Sequence, residues 1–149
     1  MPRTLGLRPY VEDASYLYRR PLKYQNGSER VETVVVYAST VTPDNNILRR
    51  LLPAGTLLNK ITSGVGLGKY GPYSKTASDG RQTLAAGTSY VLTESHDVTF
   101  GDVAVGGYYM DCVFDLTQVA DSGAAGDAIS KHGASLTALK AAFPQCAFK

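Results

Sequence analysis

His96 and Asp97 stand side by side, and with a distant serine they would supply the base and orienting acid of a hydrolase triad. The nucleophile of such a site needs a strained turn to present it, and the chain has no Gly-x-Ser-x-Gly elbow. His96 therefore reads as a loop residue. The second histidine, His132, lies in an unrelated context. Gly64-Val65-Gly66-Leu67-Gly68-Lys69 suggests a phosphate loop. A Walker A loop needs a glycine five residues before its Gly-Lys pair and Ser or Thr after the lysine. Ser63 and Tyr70 occupy those positions. A dinucleotide fingerprint must open a helix, and Tyr70-Gly71-Pro72-Tyr73 opens none. The run reads as a Gly-rich surface turn between strands. Asp111 and Asp115 would be a carboxylate pair on one strand face, and a solvated face explains them more simply. Cys112 and Cys146 are too few for a disulfide scaffold or a metal cluster, and read as small buried hydrophobes. Ligand-type residues are dispersed, so neither a metal nor a cofactor is expected. The chain is expected not to be an enzyme.

The elements that hold these residues read as mainly β. The chain has 149 residues, enough for one domain with an extension. Hydrophobic residues are 44% and charged ones 19%, which suits a packed core rather than a disordered chain. The net charge is +2, too small to argue for nucleic acid, and no block of five like charges occurs. Residues 1–50 hold eight basic and five acidic residues, a surplus of +3; residues 51–149 hold seven and eight, a balance of −1. No apolar run reaches the ~18 residues of a membrane span. The N-terminus lacks the apolar stretch of a secretory signal, so the chain is expected to stay where it is made.

Residues 1–30 read as an extended arm. Pro2, Pro9 and Pro21 interrupt helix and central strand alike. The segment is nonetheless too apolar for a plain linker. Leu5, Leu7, Arg8, Tyr10, Tyr16, Leu17, Tyr18, Arg19, Arg20, Leu22 and Tyr24 are the side chains that would meet a partner surface. Residues 31–50 follow as a strand and a turn. Val31–Val41 is β-branched and apolar on both faces, as in a strand that is buried or covered by a partner. Thr42 to Asn46 carries Pro and Asx turn chemistry.

Residues 51–149 read as the compact β-rich domain. Asp79-Gly80 is a two-residue turn signal, and Thr88–Thr93 a strand followed by a polar connection, Glu94 to Asp97. Tyr108–Thr117 is the strongest local pattern. Tyr108, Met110, Cys112, Phe114 and Leu116 alternate with more polar neighbours, as in one half-buried strand. Gly106-Gly107 before it reads as a bulge or tight turn. Asp121–Gly133 reads as a loop. Ser135 caps a short helix to Ala142 with Leu136, Leu139 and Phe143 on one face, Pro144 ends it, and Cys146 to Phe148 returns as a strand.

The order of these segments resembles a known family. Ala54-Gly55-Thr56-Leu57-Leu58, then Gly68-Lys69-Tyr70-Gly71-Pro72-Tyr73, then Ser78-Asp79-Gly80, then Ala85 to Leu92 resembles the head decoration, or capsid cement, proteins of tailed bacteriophages of the lambda type. The likeness runs from Leu52 to Leu116, with a weaker echo in the helix and last strand. It implies a small β-tulip-like or barrel-like domain with one short C-terminal helix. It also implies homotrimers on the exterior of the expanded capsid, made in the bacterial cytoplasm, with the major capsid protein as partner and the N-terminal segment as the contact. The extension before the domain is long for that type, and the extra length would reach capsid subunits or neighbouring trimers. A second expectation, of another class, is a ligand- or glycan-binding β-module that stacks sugars on Tyr108 and Tyr109 or on Tyr70 and Tyr73.

Overall fold

Val34 and Val36 are buried while Val35 between them is 41% exposed, so the valine run alternates as a strand with one face in a core. The computed structural model describes residues 20–44, 48–115, 119 and 136–149. The strands are β1 (Leu22–Tyr24), β2 (Arg30–Val36), β3 (Leu51–Leu52), β4 (Leu57–Lys60), β5 (Tyr70–Pro72), β6 (Ser89–Leu92), β7 (His96–Asp97), β8 (Val103–Met110), β9 (Val113–Phe114) and β10 (Ala147–Phe148). One helix, α1 (Leu136–Ala142), precedes β10. The architecture is mainly β. Five strands close a barrel in the order β2-β5-β4-β6-β8, and β1-β9-β10 form a second, smaller sheet. β3 pairs with β7.

The barrel is filled from every side by alternate residues. Val34, Val36, Leu58, Tyr90, Leu92 and Val105 meet in its interior. Tyr90 packs edge-on to Tyr70 and Tyr109, with centroids 5.4 and 5.8 Å away. Its hydroxyl donates to Glu32 Oε2 at 2.9 Å. Burial, then the bond to Glu32, push that hydroxyl above its ordinary range and keep it a neutral donor. Gly107 lies inside β8 against this ring. A Cβ there would stand 2.6 Å from the Tyr90 Cβ, so the glycine is a close-approach position and not the bulge or turn that the sequence suggests.

A second core lies outside β4 and β6. Leu57 and Val91, each one residue away from an interior side chain, face Tyr73, Cys112, Phe114, Leu139 and Phe143. Phe114 is its hub. Phe143 stands 5.7 Å from it at 70°, Phe148 5.3 Å at 35°, and Tyr108 6.4 Å at 64°. α1 contributes Leu139, Ala142 and then Phe143, while Leu136, expected on the same face, is largely exposed.

Several expectations change on this frame. The long strand over residues 108–117 is two strands in different sheets. β8 ends at Met110, and Asp111 turns the chain with φ of 58°, a left-handed conformation that Asp tolerates better than most residues. Its N–H donates to Gln145 O at 3.2 Å. The alternation survives the corner, because Cys112 and Phe114 are both buried. The two aspartates therefore do not share one continuous strand face. Leu116, Thr117, Ser135 and the 121–133 loop lie outside the described residues. β2 is shorter than expected and exposed on one face, with a 3-10 turn at Ala38–Thr40 in place of its end. The connection over 94–97 contains β7. The arm assigned to residues 1–30 overlaps the fold. Leu22 pairs with Phe114 and Tyr24 with Val113, and Asp115 N donates to Pro21 O at 2.8 Å.

Asp79-Gly80 lies within the long connection from β5 to β6 and is not a hairpin tip. Gly80 has φ of 108° and would place a Cβ 2.2 Å from Thr62 Oγ1. The connection is anchored by buried Asn59 on β4. Its amide donates to the carbonyls of Arg81 (3.1 Å) and Thr83, and its carbonyl accepts from Ser89 Oγ at 3.1 Å. Buried amides of this kind cost stability unless satisfied, so the loop is held by the requirement of the strand beneath it.

Two measurements check this account. Phe114→Ala is expected to lower unfolding free energy by about 3–5 kcal/mol, and Val35→Ala, on the exposed face, by no more than about 0.5 kcal/mol. Denaturant midpoints in the reverse order would show the faces inverted. Asn59→Ala removes the partner of the Gly80, Arg81 and Thr83 carbonyls and of the Ser89 hydroxyl and is expected to cost about 1–3 kcal/mol. Hydrogen exchange should accelerate in residues 79–85 of that variant.

Candidate interaction surface

β1 is where the expected contact residues can be placed. Leu5, Leu7, Arg8, Tyr10, Tyr16, Leu17, Tyr18 and Arg19 lie outside the described residues. Arg20, Leu22 and Tyr24 do not share one environment. Leu22 is half-buried against the Phe114 core, a structural position, whereas Arg20 is exposed and Tyr24 is 57% exposed. β1 is an edge strand, paired on one side only within its sheet. An open cleft of about 560 Å³ runs beside it, lined by Arg20, Pro21, Leu22, Lys23, Thr93 and Tyr108 among others. Two cations and an unpaired strand edge suit an extended acidic or polar segment, which would add main-chain hydrogen bonds to the edge.

A second exposed region crowns one end of the barrel. The Gly-rich turn between β4 and β5 uses glycine for its backbone: Gly64, Gly66 and Gly68 all have positive φ near 80–90°. Tyr37 closes under it, so that a Cβ on Gly66 would touch the Tyr37 ring. Lys69 donates to Asp102 Oδ2 at 2.5 Å and lies 5.3 Å from the Tyr37 centroid. The Ala38 N–H donates to Asp102 Oδ1 at 2.9 Å. Lys69 first, then the Ala38 N–H, hold the Asp102 carboxyl below its ordinary range. The lysine of the would-be phosphate loop is thus engaged by a carboxylate. Val65 and Leu67 on this turn are exposed, and so is Phe100 on the loop that leads to Asp102, at 92%. The run over residues 64–69 is a surface turn, as its glycines suggest, and the exposure of Phe100 was not read from the sequence.

The other chemistry-bearing residues are not assembled. Asp97 accepts from the Thr99 N–H at 3.0 Å and from its hydroxyl, and lies 3.6 Å from Arg49. Burial raises the Asp97 carboxyl, but the Thr99 bonds outweigh it and the net shift is downward. Its partners are therefore Thr99 and Arg49. His96 sits on β7 with Nε2 buried and unpartnered. His132 lies outside the described residues. Among the described residues no three His, Cys, Asp or Glu side chains are grouped to hold a metal ion. None of their helices is long and apolar enough to cross a membrane.

The expected tyrosine platforms are not formed. Tyr73 is buried in the Phe114 core, Tyr70 spends its ring on Tyr90, and Tyr108 and Tyr109 point to opposite faces of β8, one packed on Phe114 and the other on Tyr90. Arg50 is likewise committed, donating to the carbonyls of Ala38 (3.2 Å) and Val41 (2.8 Å), which open and close the 3-10 turn. Comparison of the chain with family models, with curated proteins and with solved structures finds no match.

Proposed function

We propose that this chain is a head-decoration protein of a tailed bacteriophage. It binds the outside of the expanded capsid as a homotrimer and braces the shell against the pressure of the packaged DNA. One observation carries the reading. Of the four stretches on which the sequence resemblance rests, three contribute to β4, β5 and β6, consecutive neighbours in the barrel order β5-β4-β6, and Ser78-Asp79-Gly80 lies in the connection from β5 to β6. Segments that resemble a family in sequence order here also form one contiguous structural unit, as a shared fold requires. The exposed, basic edge at β1 and the arm that precedes it supply the contact with the major capsid protein, and the length of the arm allows it to reach a neighbouring trimer.

Physical economy supports a binding role for the arm. Tyr and Arg are the side chains that tend to dominate interface energetics, at ~2 kcal/mol or more for the best placed. They recur through residues 8–24.

The test uses three chains and two capsid forms. The full chain is expected to bind expanded capsids of the source virus and not unexpanded ones. A chain beginning at Arg20 keeps every strand of the described fold, so it should melt as the full chain does while losing at least tenfold in capsid affinity. A chain beginning at Val31 lacks Pro21 and Leu22 and should lose stability as well, because β9 and Phe114 lose their cover on that side. Full affinity in the Arg20 chain would remove the arm before Arg20 from the contact and leave it to the β1 edge or the barrel. Electron microscopy showing decorated capsids with density away from local three-fold positions would overturn the trimer.

A further inference from the structure

We propose that Cys112 and Cys146 are a redox pair that closes to an intramolecular disulfide once the folded chain leaves a reducing medium, pinning the C-terminal strand to the segment that enters β9. The two residues are far apart in sequence and are brought together by strand register. β10 runs parallel to β9 with Ala147 beside Val113 and Phe148 beside Phe114. One step back, the same register sets Cys146 beside Cys112. The Ala147 N–H donates to Cys112 O at 2.9 Å, which holds the two chains together at that step. Neighbouring strands lie about 4.7–4.9 Å apart, inside the Cα separation of about 4.4–6.8 Å that a disulfide spans. Side chains at paired positions point to the same face, as the contact of Phe148 with Phe114 shows for the pair two residues along. Both cysteines are free thiols in this structure.

Access to the two sulfurs is unequal, and this sets the order of events. Cys146 is half-buried and reachable from solvent, whereas Cys112 is buried. The Cys112 thiol hydrogen bonds to Met110 O at 3.2 Å. The neighbouring Cys112 thiol lowers Cys146 against the opposing effect of burial, so Cys146 is the more readily ionised of the two. Cys146, then burial, push Cys112 up. The Cys146 thiolate attacks one sulfur of a low-molecular-weight disulfide such as oxidised glutathione and expels a first thiolate. The bound adduct removes the negative charge that had raised Cys112. Cys112 then gives up its proton to the medium and attacks the Cys146 sulfur, expelling the second thiolate. The two cysteines lose two electrons and two protons, and the small disulfide becomes two thiols. The bond closes the whole stretch between residues 112 and 146, which includes α1, and ties down a strand of only two residues.

The reduced, folded full chain incubated with oxidised glutathione tests this. Both thiols should be lost, with an intact mass lower by two hydrogens and no glutathione retained. Trypsin should then yield the peptide ending at Lys131 joined to the one ending at Lys149. The melting temperature should rise by about 5 °C or more and fall back on reduction with dithiothreitol. Cys112→Ala should stop at a stable glutathione adduct on Cys146, and Cys146→Ser, at the more accessible position, should leave Cys112 unmodified in the folded chain. A persistent adduct on the native chain, a disulfide between two chains, or two thiols that stay unreacted until the chain is denatured would overturn the pair. A closed bond that leaves the melting temperature unmoved would overturn its pinning role.

Discussion

Burial on both faces of β4 and β6 is the constraint from which the rest of the molecule follows. Leu57 and Leu58 are adjacent and both fully buried, as are Val91 and Leu92. Successive strand residues point in opposite directions, so two cores must exist, one on each side of this pair of strands. Closing the barrel satisfies one side. The small sheet and α1 must be brought over to satisfy the other. A barrel alone would leave Leu57 and Val91 in water, at a cost of about 1.5–3 kcal/mol for each large apolar side chain.

Phe114 is the means by which the outer core is assembled. It lies on a strand of two residues, too short to hold itself by backbone bonds, and is kept in place by aromatic contacts with Phe143, Phe148 and Tyr108. The corner at Asp111 makes this placement available. Had β8 run on straight, its inward residues would have continued along the barrel. A single left-handed residue carries the outward alternation of Tyr108 on to Cys112 and Phe114, so that one core face continues from the barrel wall into the small sheet.

Much of this was legible in the sequence, and the failures have physical causes. The mainly β class, the helix near the C-terminus and the returning strand at Ala147–Phe148 could all be read from periodicity and turn residues. The alternation around Phe114 was correctly read as a core face and wrongly read as one strand, because a period of two persists through a one-residue corner. β2 read as a strand buried or covered by a partner because its apolar residues are β-branched, and composition cannot report that among the described residues one of its faces is exposed. β1 was missed because Pro21 argues against a central strand, and it is in fact an edge strand, where proline is tolerated. The role of Asn59 left no trace in the sequence, since a buried amide is defined by the loop that reaches it. At the candidate surface, Arg20 and Tyr24 could be anticipated from residue type alone. Lys69 finds Asp102 across the fold, a pairing invisible to local pattern.

β1 and β2 are held by ladders of very different length. β1 joins β9 through two register pairs, while β2 joins β8 through seven. Tension drawn through the N-terminal end of the chain therefore meets the short ladder before it meets the long one. Peeling β1 away would release slack from residues 20–29 while the barrel stayed closed. The domain is built in series, with a yielding element ahead of a stiff one, so a sudden pull would be taken up by extension at the small sheet rather than by rupture of the barrel wall.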